Sequence, residues 1–115
     1  MFPYNYLLKP LSPISFYILM AVSRSPLHAY AIKGSVANIS QGSVNVKDAT
    51  ISKALSRLHD DGLIDITGRH STVKSGTLRV HYQISDEGKD RLSDELKRLR
   101  HALEVAEYID QSENR

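Results

Sequence analysis

The chain has 115 residues with no cysteine and no tryptophan, and 15 Lys/Arg stand against 13 Asp/Glu. That length suits one domain able to bury roughly 65% of its unfolded surface, and the absence of cysteine excludes disulfides, thiolate metal sites and cysteine nucleophiles, as expected of a cytoplasmic protein. The net charge of +2 hides an asymmetry, since residues 1–85 carry nine Lys/Arg against four Asp/Glu and residues 86–115 carry six against nine; the front suits a polyanion and the tail another task.

Residues 1–11 read as an N-terminal arm: Met1 to Pro10 has two prolines and no helical period. Phe2, Tyr4, Tyr6, Leu7 and Leu8 are too many apolar side chains to leave in water, so a second subunit or a groove on the same one must cover them. Ser12 and Pro13 then start a helix, the hydroxyl as cap and the proline where its missing amide costs nothing. Ile14 to Ser23 is apolar nearly all round, as in a central core helix. Its apolar run, Ile14 to Val22, is too short to span a bilayer and lacks a basic leader, so no membrane association is expected. After a turn at Pro26, a second helix from His28 to Ile39 offers Tyr30, Ala31, Ile32 and Val36 for packing. The connection Ser40 to Lys47 is longer than in a minimal helix-turn-helix and ends on Lys47, well placed for a phosphate.

The stretch Ala49 to Ile64, ATISKALSRLHDDGLI, has the pattern of a DNA recognition helix. Asp48 stands where an N-cap belongs, and Gly62 supplies the stop before strand-like Leu63, Ile64 and Ile66. Ile51, Leu55 and Leu58 recur at spacings of four and three, one stripe for packing. The other face carries Thr50, Ser52, Lys53, Ser56 and Arg57. Hydroxyls bond phosphates or base edges, Lys and Arg reach phosphates or guanine O6 and N7, and small side chains let the helix approach a groove.

Leu63 to Thr67 and Leu78 to Ile84 read as a two-stranded hairpin, the second alternating Leu78, Val80, Tyr82 and Ile84 with polar residues. Its tip, Gly68 to Thr77, contains Arg69, His70 and Lys74 and, with Arg79, forms a basic wing suited to phosphate or minor groove. Ser85 caps a last helix whose first turn, Asp86 and Glu87, is acidic as the helix dipole prefers, and which Gly88 weakens slightly. Leu92, Leu96, Leu99, Leu103 and Ala106 form a heptad seam along it. The expected organisation is an arm over 1–11, a winged helix-turn-helix over 12–85, a dimerisation helix over 86–110 and a disordered tail over 111–115.

Over roughly residues 12–110 these motifs, in this order, resemble the PadR family of transcriptional regulators. The family's His-Gly-Tyr motif appears as His28-Ala29-Tyr30, after Ser25-Pro26. Its recognition-helix signature is matched by Thr50, Leu55, Leu58, Gly62, Leu63 and Ile64, while Ser52-Lys53 replaces the family's Tyr-Pro pair, a change that implies a different operator. Tyr82-Gln83-Ile84-Ser85-Asp86-Glu87-Gly88 resembles the junction from the wing to the C-terminal helix. The resemblance implies a winged-helix fold, homodimers joined in the shorter members by a single C-terminal helix, and in some members an aromatic ligand between subunits.

The expected fold is therefore α+β and mostly helical, and the expected function is a regulator, a repressor, that binds double-stranded DNA as a homodimer without a cofactor. Two dimer-related recognition helices would enter successive major grooves about 34 Å apart. Other readings are a winged helix that binds protein, a ligand-sensing regulator with secondary DNA binding, or a terminal helix folded back to complete a monomeric core. An enzyme is not expected: the five histidines are scattered, and neither a glycine-rich phosphate loop nor an HExxH spacing is present.

Overall fold

The computed structural model describes residues 10–71 and 78–113, and the side chains of residues 69–71, 78 and 79 also fall outside that description. The elements run α1 (Pro13–Ala21), β1 (Leu27–His28), α2 (Ala29–Ile39), α3 (Asp48–Asp60), β2 (Ile64–Ser71), β3 (Leu78–Ile84) and α4 (Asp86–Glu113). Most of the expected arm lies outside the described residues. The helix expected to stop at residue 110 continues to Glu113.

Each helix start has a local cause. The Ser15 amide donates to Ser12 Oγ at 3.2 Å, with proline in the first turn of α1. For α2 the cap is an imidazole: His28 Nδ1 accepts from the Ala31 amide at 3.2 Å. The start of α3 differs from expectation. Lys47, not Asp48, is the N-cap residue, and its side chain makes no capping bond. Asp48 lies one residue inside, where its charge suits the helix dipole, and it pairs across the turn with Lys33 Nζ at 2.8 Å.

Helix α3 ends at a Schellman turn around Gly62 (φ 76°), with the Leu63 amide donating to Leu58 O at 2.9 Å and the Gly62 amide to His59 O at 3.0 Å. The same turn closes α2, but there Gln41 takes the left-handed position (φ 54°).

The hairpin expected from the sequence acquires a third strand, because β1 pairs antiparallel with β3 through Leu27↔Tyr82 and His28↔His81, giving the order β1-β3-β2. Two residues are too few for a periodicity signal, so β1 is legible only once β3 lies beside it. Between Ile66 and Gly68 the β2–β3 register shifts around Thr67, a bulge that re-aims the wing.

One core joins all of this. Ile18 and Leu19 of α1, Ile32 and Val36 of α2, Ile51, Leu55 and Leu58 of α3, and Leu63, Ile64, Ile84 and Leu92 are buried together. Tyr30, expected to pack with Ile32, is instead 76% exposed. It precedes Ile32 by two positions, about 200° round the helix.

Helix α4 starts on the core and then leaves it. Ser85 Oγ accepts from the Gly88 amide at 3.0 Å and donates to Gly62 O at 2.6 Å, so the cap of α4 is tied to the stop of α3. Beyond Arg98 every described residue is exposed. With 28 residues the helix is about 42 Å long, and the molecule measures 65 × 29 × 22 Å. The first turns of α4 pack on α1, where Leu92 joins the core, and the part beyond Arg98 leaves it. Among the described residues no helix is long and apolar enough to cross a membrane.

Candidate nucleic-acid interface

Helix α3 divides cleanly. Ile51, Leu55 and Leu58 are each 2% exposed in the core, and this anchorage holds Lys47, Thr50, Ser52, Lys53, Ser56 and Arg57 together on the solvent side. None of these six side chains is buried, so their donors are available to an external partner.

The charge along this face is uneven. Ser52, Lys53, Ser56 and Arg57 share a shallow hollow with Asp60 and Asp61, so the C-terminal end of the face carries carboxylates that the central positions lack. At the N-terminal end, Asp48 is matched by Lys33. The first three turns or so, from Lys47 to Arg57, are thus the part suited to a polyanion, and the positive pole of the helix dipole adds to them.

A second groove runs between the starts of α2 and α3, lined by Ala29, Tyr30, Lys33, Asp48, Ile51 and Ser52. It brings Tyr30 and Lys33 to the rim of the α3 face, two residues that the sequence pattern left among packing positions or unassigned. Helical phase could have found Tyr30; Lys33 is defined only by its contact with Asp48, 15 residues away. Tyr30 also borders a hollow with His28, Ala29, Val80 and Tyr82, at the base of the wing. There the His28 and His81 rings meet edge to face with centroids 5.6 Å apart.

On the wing, Arg69 and His70 lie on β2 opposite Val80 and Arg79 of β3. Lys74, and the side chains of Arg69, His70 and Arg79, lie outside the described residues. Of the heptad seam, Leu92 is 7% exposed and belongs to the subunit's own core, whereas Leu96, Leu99 and Leu103 are 42–60% exposed and Ala106 is exposed beside them. Among the described residues no group of three or more His, Asp or Glu side chains is placed to hold a metal.

Residues 18–94, more than half of the chain, match the family model described as the transcriptional regulator PadR-like family. No curated protein sequence matches. Among solved structures, a PadR family transcription regulator from Clostridium difficile is 22% identical, with 85% of this chain and 98% of that one covered at a TM-score of 0.69. A putative transcriptional regulator from Thermoplasma acidophilum is 21% identical, covering 85% and 90% at 0.67. Bacillus subtilis PadR, solved in complex with operator DNA, is 23% identical over 76% of this chain and 48% of that one, at 0.65.

Proposed function

Because the chain belongs to the PadR-like family of transcriptional regulators, a family of regulators and not of enzymes, we propose that it binds double-stranded operator DNA as a homodimer and acts as a repressor. The observation that carries this reading is the division of α3, whose apolar stripe is buried at 2% exposure while its hydroxyl and cationic residues all face solvent. The solved PadR structure with operator DNA supports the same use of this fold.

In this reading α3 enters the major groove by its N-terminal turns. Lys53 and Arg57 reach base edges, and Thr50, Ser52 and Ser56 bond bases or phosphates at close approach. Lys47 takes a phosphate at the positive end of the helix, and Tyr30 and Lys33 flank it. Arg69, His70, Lys74 and Arg79 grip the flanking backbone. Two copies join through Leu96, Leu99, Leu103 and Ala106, which places two recognition helices on a two-fold operator.

The test is fluorescence anisotropy with DNA from upstream of the protein's own gene, against a shuffled duplex, at two salt concentrations. Tight binding to the upstream fragment alone is expected, weakening on the order of a thousandfold between roughly 50 and 200 mM salt as several phosphate contacts are lost. Absence of binding to any duplex would discard the DNA reading in favour of a winged helix that binds protein.

A further inference from the structure

Helix α3 begins with a carboxylate on the face suited to a polyanion. Asp48 is the first residue of the helix, its side chain is 84% exposed, and a bare carboxylate beside DNA is repelled by every phosphate in reach. Asp60 and Asp61, the carboxylates of the neighbouring hollow, sit at the other end of the helix, away from the N-terminal turns by which recognition helices meet base edges.

The place of Asp48 on the helix decides what it can touch. Asp48, Ser52 and Ser56 follow one another at spacings of four, a row of short side chains that drifts by about 40° per step. Ser52 joins the two parts of the surface, since it lines both the groove that holds Asp48, Tyr30 and Lys33 and the hollow that holds Lys53, Ser56 and Arg57. A short side chain in that row meets DNA only where the helix axis comes close, over the base edges of the major groove, whereas the long cations beside it can span the gap to phosphates.

The carboxylate is also held in place. Lys33 Nζ donates to Asp48 Oδ1 at 2.8 Å from α2, 15 residues away in the chain, and Oδ2 accepts no hydrogen bond among the described residues. The lysine side chain is 34% exposed against 84% for its partner, so the ammonium backs the carboxylate from the more sheltered side and leaves the second oxygen open. We propose, resting on the docking of α3 given above, that Asp48 is a specificity-determining residue that selects cytosine: Oδ2 accepts from the cytosine N4 amino group in the major groove, while Lys33 keeps Oδ1 and offsets the charge.

Cytosine is favoured because it presents a donor with no acceptor of its own beside it. Guanine offers N7 and O6, thymine offers O4 and a methyl group, and adenine sets N7 next to its amino group. Against any of these a charged oxygen is left unpaired or facing an acceptor, which rejects wrong sequences by repulsion as well as choosing the right one by attraction.

The test is selection from a pool of randomised duplexes by the full chain, followed by anisotropy on the selected duplex and its single-base variants. The wild-type protein should enrich a motif in which one position per half-site prefers cytosine about tenfold. Asp48→Asn should move that position alone to adenine, whose N6 and N7 an amide matches, and Asp48→Ala should make it indifferent. Lys33→Met, which keeps the stem and removes the charge, should weaken binding while cytosine stays preferred. Asp48 is exposed, so circular dichroism should be the same for both of its variants. Unaltered base preferences in the Asp48 variants would overturn the proposal. So would an Asp48→Ala protein that gains equally on every duplex, because the carboxylate would then face phosphates only. A wild-type protein that enriches no motif would remove the docking of α3 itself, and the selection of cytosine with it.

Discussion

Gly88 lies flush against the backbone of Leu63: a Cβ built on Gly88 would come within 2.0 Å of the Leu63 carbonyl oxygen and 2.8 Å of Ile84 Cγ1. This glycine, which by propensity only weakens the first turn of α4, sets how closely that turn seats on the junction between α3 and β2. The same Leu63 carbonyl accepts from the Ser85 amide at 3.1 Å, so α3, the wing and α4 meet at one point.

Gly88→Ala should therefore destabilise the protein by roughly 3 kcal/mol, despite alanine's better helix propensity, because a backbone atom cannot move aside as a side chain can. Chemical denaturation checks this. A loss below about 1 kcal/mol would show that α4 shifts outward at little cost.

Gln41 holds a left-handed conformation at the end of α2, where Gly42 and Gln41 amides donate to Ala37 O at 2.8 Å and Asn38 O at 3.1 Å. Gln41→Gly should stabilise the fold by about 0.5–1 kcal/mol, since glycine takes that conformation without the Cβ clash. Gln41→Val should do the opposite. The comparison is a pair of thermal melts, and equal melting temperatures would rule out strain at this turn.

Lys53→Ala and Arg57→Ala should each weaken operator binding by about 1–3 kcal/mol if they reach base edges, with unchanged circular dichroism because both are exposed. The combined variant with wild-type affinity would dismiss the docking of α3 described above.

Leu99→Asp/Leu103→Asp changes two exposed leucines without touching the core. Sedimentation should show dimers converted to monomers at micromolar concentration, since each leucine buried at the interface contributes about 1.5–3 kcal/mol. A double variant that remains dimeric would locate the interface elsewhere.

Glu95 carries the pH dependence. Its hydrogen bonds from Arg98, followed by smaller contributions that include the Leu11 amide, outweigh burial and hold its carboxyl below the usual range. A depressed folded-state pKa contributes stability that is present above the unfolded carboxyl's range and is lost as pH falls through the folded value. Glu95→Gln should cost about 1–2 kcal/mol at pH 7, and the two proteins should converge in stability as pH is lowered below the ordinary carboxylate range. A difference that is constant with pH would mean that packing, not charge, is lost.

What the sequence determined by itself is local and periodic. The stripe Ile51, Leu55, Leu58 and its opposite polar face, the stop at Gly62, the caps at Ser12 and Ser85 and the leucine seam all follow from spacings within one element. The helical rise and the conformational limits of glycine and proline act there without help from distant residues. The α+β fold and the exposed face of α3 were legible for that reason.

The tertiary structure decided whatever depends on which surfaces meet. Asp48 looks like a cap until Lys33 is brought within 2.8 Å of it; Leu92 looks like part of an open seam until α1 and the sheet bury it. Strand β1 exists only because β3 offers free backbone groups beside it, and Gly88 is required only because Leu63 lies under it. These are contacts between residues far apart in the chain, and no local pattern encodes the distance between them.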